Sequence, residues 1–330
     1  MKFKKYLMFL LIAALAVVVA ACGSDSKEGD NKEKENETSE NTGAEGGSEK
    51  VEGSVVIDGS GTVYPLMAKL AEEYMTEKPD VSVEVSRAGT SAGFKKFLAE
   101  DGTDFNDASR VIKDEEKAKA EELGMEIKEL KVALDGLTIV THPDNDWATE
   151  LTQDQVKDIF LGKSTKWSDV NPEWPDEKIQ TYGPNENHGT YEFFYENILE
   201  EQDLVSGINL QQDYSTLVTL VAEDKNAIGF FGFGYYDNNK DKVKAVKIDF
   251  GKGPVEPSLD TIAEDGDYAG YTRPVFTYLN VDHAKEKPQV LDYALFIMNN
   301  VNKFAGETGF APIPEEEAKT LISDLEALKK

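Results

Sequence analysis

Cysteine occurs once in this 330-residue chain, histidine three times, and arginine three times against 32 lysines. A lone thiol excludes a disulfide framework and a cysteine-rich zinc site. Three histidines leave little for an imidazole-ligated metal centre, so neither a metal nor a cofactor is expected. Positive charge is scarce as well: 35 Lys and Arg face 63 Asp and Glu, a formal charge of −28. A nucleic-acid partner would need a basic face, which this balance argues against. Internal repeats are absent. The apolar run over 6–21 falls short of the roughly 20 residues of a membrane-spanning helix.

What is there begins with an address. Lys2, Lys4 and Lys5 precede that apolar run, which ends Val19-Ala20-Ala21-Cys22-Gly23. A basic start, an apolar stretch and small residues before a cut make a secretory signal. The ending resembles the bacterial lipobox, so 1–21 is expected to be a lipoprotein signal peptide and Cys22 the lipidated residue. Acyl chains there would hold the chain to a membrane at about 0.8 kcal/mol per buried CH₂. Residues 22–52 continue as a polar segment whose one large apolar residue is Val51. Such a segment cannot offset its ordering entropy and is expected to be a flexible acidic linker. Taking away the three signal lysines, then ten acidic and four basic residues over 23–52, leaves −25 on residues 53–330.

The remainder alternates strand and helix patterns. Residues 54–57 and 81–85 read as strands, and Leu66, Leu70 and Tyr74 as a helix face. A charged helix is expected over 113–123 and a buried strand over 131–141, an apolar run around Asp135. Helices over 290–299 and 315–328 close the chain. Strand–loop–helix alternation implies layered α/β architecture with mostly parallel strands. Ligands in such sheets collect beyond the carboxyl ends of strands.

Three strand–helix junctions carry one chemical message. They are Gly59-Ser60-Gly61-Thr62, Gly89-Thr90-Ser91-Ala92-Gly93 and Asn187-His188-Gly189-Thr190. Each offers glycine for close backbone approach, hydroxyl donors, and a helix start bearing about half a positive charge. Together they can converge on one tetrahedral oxyanion. Arg110, after Asp107-Ala108-Ser109, could add a guanidinium fork. Arg273, before Pro274, reads as structural. A rival stands in the second loop, which also matches the G-x-S-x-G nucleophile elbow of serine hydrolases, with Ser91 as nucleophile, Asp135 as acid and His188 or His283 as base.

Taken in order, five stretches resemble the phosphate-binding receptor family of bacterial phosphate ABC importers. They are Asp58-Gly-Ser-Gly-Thr-Val-Tyr-Pro65, Ala88-Gly-Thr-Ser-Ala-Gly-Phe-Lys95, Asn106-Asp-Ala-Ser-Arg110, Tyr182-Gly-Pro-Asn-Glu-Asn-His-Gly-Thr190 and Ala227-Ile-Gly-Phe-Phe-Gly232. The resemblance implies an α/β, two-domain periplasmic-binding-protein type II clamp. Its mixed sheets are flanked by helices, and two crossover strands, 131–141 and 272–280, form the hinge. Domain I would comprise 53–138 plus 275–330, and domain II 139–274. It also implies a receptor that is not an enzyme, a dehydrated inorganic phosphate between the domains, and ABC permease subunits as partners. The chain is expected to be a monomer held to the extracytoplasmic face of the bacterial cell membrane.

Site residues carry over by position: Ser60, Thr62 and the N–H of Val63; Thr90 and Ser91; His188, Gly189 and Thr190, with His188 where many members have serine. Two departures matter. Pro184 stands where the better-known branch has arginine, and Arg110 where it has aspartate, so Arg110 is expected to supply the guanidinium. The acceptor for the phosphate proton must then come from elsewhere, and Asp135 is the candidate. Sulfate, molybdate or a phosphonate remains an alternative ligand, a serine hydrolase on Ser91 a different-class alternative, and an adhesive or sensory surface protein a third.

Overall fold

The computed structural model describes residues 51–329. The proposed signal peptide, Cys22 and nearly all of the linker lie outside them. Among the described residues, no helix is long and apolar enough to cross a membrane.

The first run is β1 (Gly53–Gly59), α1 (Tyr64–Glu77), β2 (Val81–Val85), α2 (Thr90–Phe97), β3 (Phe105–Ala108), α3 (Asp114–Leu123) and the fifteen-residue β4 (Ile127–Thr141). Next come β5 (Glu150–Thr152), α4 (Gln153–Phe160), α5 (Trp167–Val170), β6 (Gln180–Pro184), α6 (Gly189–Phe193), β7 (Asn209–Gln211), α7 (Tyr214–Glu223), β8 (Ala227–Gly232) and α8 (Phe233–Asp237). Short strands β9 (Lys244–Ala245), β10 (Lys247–Asp249) and β11 (Pro254–Val255) lead to β12 (Thr272–Asn280). Helices α9 (Val281–Glu286), α10 (Pro288–Ala305) and α11 (Glu315–Glu326) finish the chain.

Local chemistry explains many of these boundaries. Proline in the first turn suits the start of α1, whose Leu66, Leu70 and Tyr74 are buried along one face. Three acids open α3, where they meet the positive end of the helix dipole, and Gly124 at φ 65° ends it in the left-handed region. Thr152 caps α4 by accepting from the N–H of Gln155.

The large sheet runs β2-β1-β3-β12-β4-β8-β6-β7, with β9 also on β4. Both flanks are parallel: β1 with β2 and β3, and β6 with β7 and β8. Its middle is not. β12 lies antiparallel between β3 and β4, and β4 antiparallel to β8. The expected parallel predominance fails there because the chain leaves the first flank through β4 and returns the other way through β12. Alternation along the sequence reports near neighbours only. β4 also serves the two largest apolar cores. Leu130, Val132 and Ala133 pack with α1 and α10, whereas Leu134, Leu137 and Ile139 pack with Phe160, Trp167, Phe194 and Phe230.

Candidate functional site

All three glycine–hydroxyl loops come together. In the first, Gly59 sits at φ 140°, where an added side chain would begin 2.1 Å from the Asp107 carbonyl, so only glycine fits. Ser60 then donates its N–H to that carbonyl at 2.8 Å. The Ser60 hydroxyl oxygen accepts from the N–H groups of Thr62 and Val63 at 3.2 and 3.4 Å and its proton goes to Ser109 Oγ at 3.0 Å. Tyr235 pins the same loop from α8, donating to the Gly61 carbonyl at 2.9 Å.

In the second loop, Gly89 at φ 107° opens α2, and Thr90 Oγ1 accepts from the Ser109 N–H at 3.2 Å. The third loop opens α6 behind His188 and presses Gly189 against the second loop and Ser109. A side chain at Gly189 would begin 2.7 Å from Ser109 Oγ and 3.0 Å from Thr90 Oγ1. Thr190 Oγ1 lies 2.9 Å from Thr62 Oγ1 and accepts from the Tyr214 hydroxyl at 2.8 Å, while Tyr214 and Thr62 are 3.1 Å apart. Three hydroxyls within reach of one another close a ring in which each can donate once and accept once.

Arg273 completes the cluster. Its guanidinium donates to Thr190 Oγ1 at 2.7 Å, to the Gly189 carbonyl at 3.0 Å and to Asp135 Oδ2 at 2.9 Å. Burial pushes the Asp135 carboxyl above its ordinary pKa, against the pull of Arg273 and of the Phe233 N–H. Ser60, Thr62, Thr90, Ser109, Asp135, His188, Thr190 and Arg273 are all buried, Thr90, Ser109, Asp135 and Thr190 completely. The result is a buried cluster of small hydroxyls, close backbone, helix starts and one guanidinium. Such a set can stabilise an oxyanion and has no nucleophile–base pair. Among the described residues no group of acids, histidines or cysteines is disposed to hold a metal ion.

Several expected site residues lie elsewhere. The Arg110 guanidinium is not in the hydroxyl cluster. Its Nη atoms each reach Glu116 at 2.8 Å, its Nε reaches Glu192, and it stacks over Phe94. Burial lowers the Arg110 pKa, but hydrogen bonds and charge from Glu116 and Glu192 hold it above the ordinary value. Two acids have taken its donors, and it is Arg273 that reaches the hydroxyls. Ser91 stands with Arg110, donating to Glu192 at 2.8 Å and accepting from Arg110 at 3.0 Å. Asp135 is inside the cluster, but as the partner of Arg273 and of a backbone amide rather than as an open acceptor.

Sequence patterning missed Ser109, Tyr214 and Arg273. Ser109 stood in a quoted motif as Arg110's neighbour. Tyr214 carried no signal beyond a place after the helix-capping Asp213. The hydrolase alternative finds no support in this geometry: Ser91 faces Glu192, His188 Nε2 lies 2.9 Å from the Gln212 carbonyl, and His283 pairs with Asp104. A cavity of about 800 Å³ opens beside the cluster, lined by Ser109, Arg110, Lys113, Phe193, Glu196 and Arg273 among others.

Comparison with known proteins places this geometry. The PBP superfamily domain matches residues 42–301. A phosphate-binding protein PstS of Staphylococcus saprophyticus is 41% identical over 277 residues, covering 83% of this chain and 85% of that one. Its counterpart in Staphylococcus haemolyticus is 38% identical over 320 residues, covering 97% and 96%. Among solved structures, a Clostridium perfringens protein with bound phosphate aligns at a TM-score of 0.66 and 29% identity, covering 79% of this chain and all of its own. An ABC-type phosphate transport receptor from Vibrio cholerae aligns at 0.61 and 26%, with the same coverage. With a superfamily match over most of its length and PstS relatives at about two-fifths identity end to end, the chain belongs to the PstS phosphate-binding proteins of the PBP superfamily, with the type II periplasmic-binding fold.

Proposed function

We propose that this protein is the extracytoplasmic inorganic-phosphate receptor of an ABC-type phosphate importer, binding and releasing phosphate without making or breaking a bond. One observation carries the reading: three loops from distant parts of the chain meet in a buried cluster of Ser60, Thr62, Thr90, Ser109, Thr190 and Tyr214 hydroxyls, with Arg273 beside them. The anion would replace the hydroxyls as one another's partner. Each hydroxyl proton would then turn to a phosphate oxygen, while Asp135 holds the guanidinium fork in place. Backbone N–H groups at the starts of α2 and α6 add donors that need no reorganisation.

The two apolar cores are read as the two lobes of the clamp, 53–138 with 275–330 and 139–274, hinged on β4 and β12. Cys22 would tether the receptor to the membrane by its lipid, leaving a monomer to deliver phosphate to the permease.

Calorimetry on the chain from residue 23 onward tests this. Phosphate is expected to bind with micromolar or tighter affinity, about −8 kcal/mol or more, and sulfate far more weakly. Tight sulfate or molybdate binding without phosphate binding would favour another oxyanion. No heat with any of the three would end the receptor reading.

A further inference from the structure

Phosphate and sulfate match in shape and can match in charge. Hydroxyls and a guanidinium donate equally well to either, and a hydroxyl rotates to suit its ligand. Telling them apart takes a fixed acceptor, one that welcomes the P–OH of phosphate and meets the unprotonated oxygens of sulfate with a lone pair. Two nearby carboxylates are spoken for, and a third faces another way. Asp135 accepts from Phe233 and Arg273. Asp58 accepts from the N–H groups of Gly59 and Ala88 and from Lys96. Asp107 shares its strand face with Phe105, which packs edge-on against Tyr293 of α10, so its carboxyl turns to that side of the sheet.

His188 is different. Its ring is 1% exposed, lies edge-on to Tyr214 at 4.9 Å, and puts Cε1 3.3 Å from where a side chain on Gly61 would start. It thus sits between the first and third loops. Nε2 lies 2.9 Å from the Gln212 backbone carbonyl, which can only accept, and 3.2 Å from the Gln212 side-chain nitrogen, which already donates to the Ala88 carbonyl at 3.0 Å; the shorter contact assigns the proton to Nε2. Nδ1 is left as a bare lone pair, enclosed and without a hydrogen-bond partner among the described residues. A buried acceptor without a partner is costly unless a ligand fills it. Burial also lowers the pKa of the ring, outweighing the Gln212 carbonyl and the Asp213 charge, with Arg273 adding to the fall, so the imidazole is neutral near pH 7.

We infer that Nδ1 of His188 accepts the proton of the bound anion and so selects a protonated oxyanion, hydrogen phosphate, over sulfate. The inference rests on the phosphate-receptor reading and adds the residue that sets its specificity. The side chain makes no capping hydrogen bond to α6, so replacing it removes no cap. The groups that face the ring are Gln212 next to α7, Asp213 and Tyr214 of α7, Arg273 of β12 and the Gly61 backbone; Asp213 is paired with Arg87 at 3.3 Å.

Two measurements test it. Nitrogen-15 NMR on a protein with only three histidines is expected to show an unprotonated Nδ1 at His188 that shifts on adding phosphate and not on adding sulfate. Calorimetry on His188→Gln and His188→Ser is expected to show the phosphate-to-sulfate affinity ratio falling about ten- to hundredfold, chiefly through tighter sulfate binding. Circular dichroism melts of both variants report that they fold. A protonated Nδ1 in the wild type, or a His188→Gln variant that discriminates as the wild type does, would overturn the inference and leave the receptor reading standing. A wild type that binds neither anion would overturn both.

Discussion

Two of the three arginines sit where their surroundings in the sequence do not suggest. Arg110 follows a site motif yet spends its donors on Glu116 and Glu192, while Arg273, beside a proline, reaches Thr190 and Gly189. Arg273→Lys keeps the charge and loses the fork, and phosphate affinity should fall at least tenfold by calorimetry, with the fold retained by circular dichroism. An unchanged affinity would remove Arg273 from the site. The hydroxyl loops were legible because glycine and hydroxyl spacing at a strand–helix junction is local information. Arg273 was not, because its partner Asp135 is 138 residues away and only the β12–β4 register sets them opposite each other.

Asp107 makes a second residue-scale case. Its carboxyl is fully buried opposite Thr277 of β12, and burial, with the Asp58 charge adding to it, pushes its pKa up to about 8 against the pull of the Thr277 hydroxyl. The folded state therefore holds a proton that the unfolded state releases above its ordinary carboxyl pKa of 3.8. Its share of stability is complete at low pH and is lost as pH climbs from about 4 to about 8, on the order of 1 kcal/mol per unit. Asp107→Asn should flatten that slope and melt higher than wild type at about pH 8. Parallel slopes for the two proteins would show that Asp107 does not carry it.

At the scale of elements, the polar bridge between the β3–α3 turn and α6 matters most. Glu192 of α6 takes Arg110, accepts from Ser91 at 2.8 Å, and pairs with Lys113 at 3.0 Å. It joins an element of the apolar cluster that holds Phe94 to one of the cluster that holds Phe194. Arg110→Ala would leave Glu116 without its cation and Glu192 with Lys113 alone, and should cost about 1–3 kcal/mol of stability in denaturant melts. Glu192→Gln keeps the shape and removes the charge. If the bridge helps hold the clamp shut, this variant should release phosphate about tenfold faster in stopped flow, with little change in the rate of capture. Equal release rates would assign the bridge to folding alone. The antiparallel middle of the sheet belongs to this scale too: strand pattern located β4 and β12, but not that they are neighbours across nine residues of β12.

Over the whole molecule, an anion site sits in a folded region of charge −25. At physiological ionic strength exposed charges are screened beyond about 8 Å, whereas the buried donors around Thr190 keep their strength. Acidity at the surface therefore disfavours polyanions without closing the site to a small one. The double allegiance of β4 has a thermodynamic consequence. Its backbone is common to both apolar cores, so neither can melt without unravelling a strand that the other needs. Heating is expected to give one calorimetric transition whose van't Hoff and calorimetric enthalpies agree, and two resolved peaks would contradict that coupling.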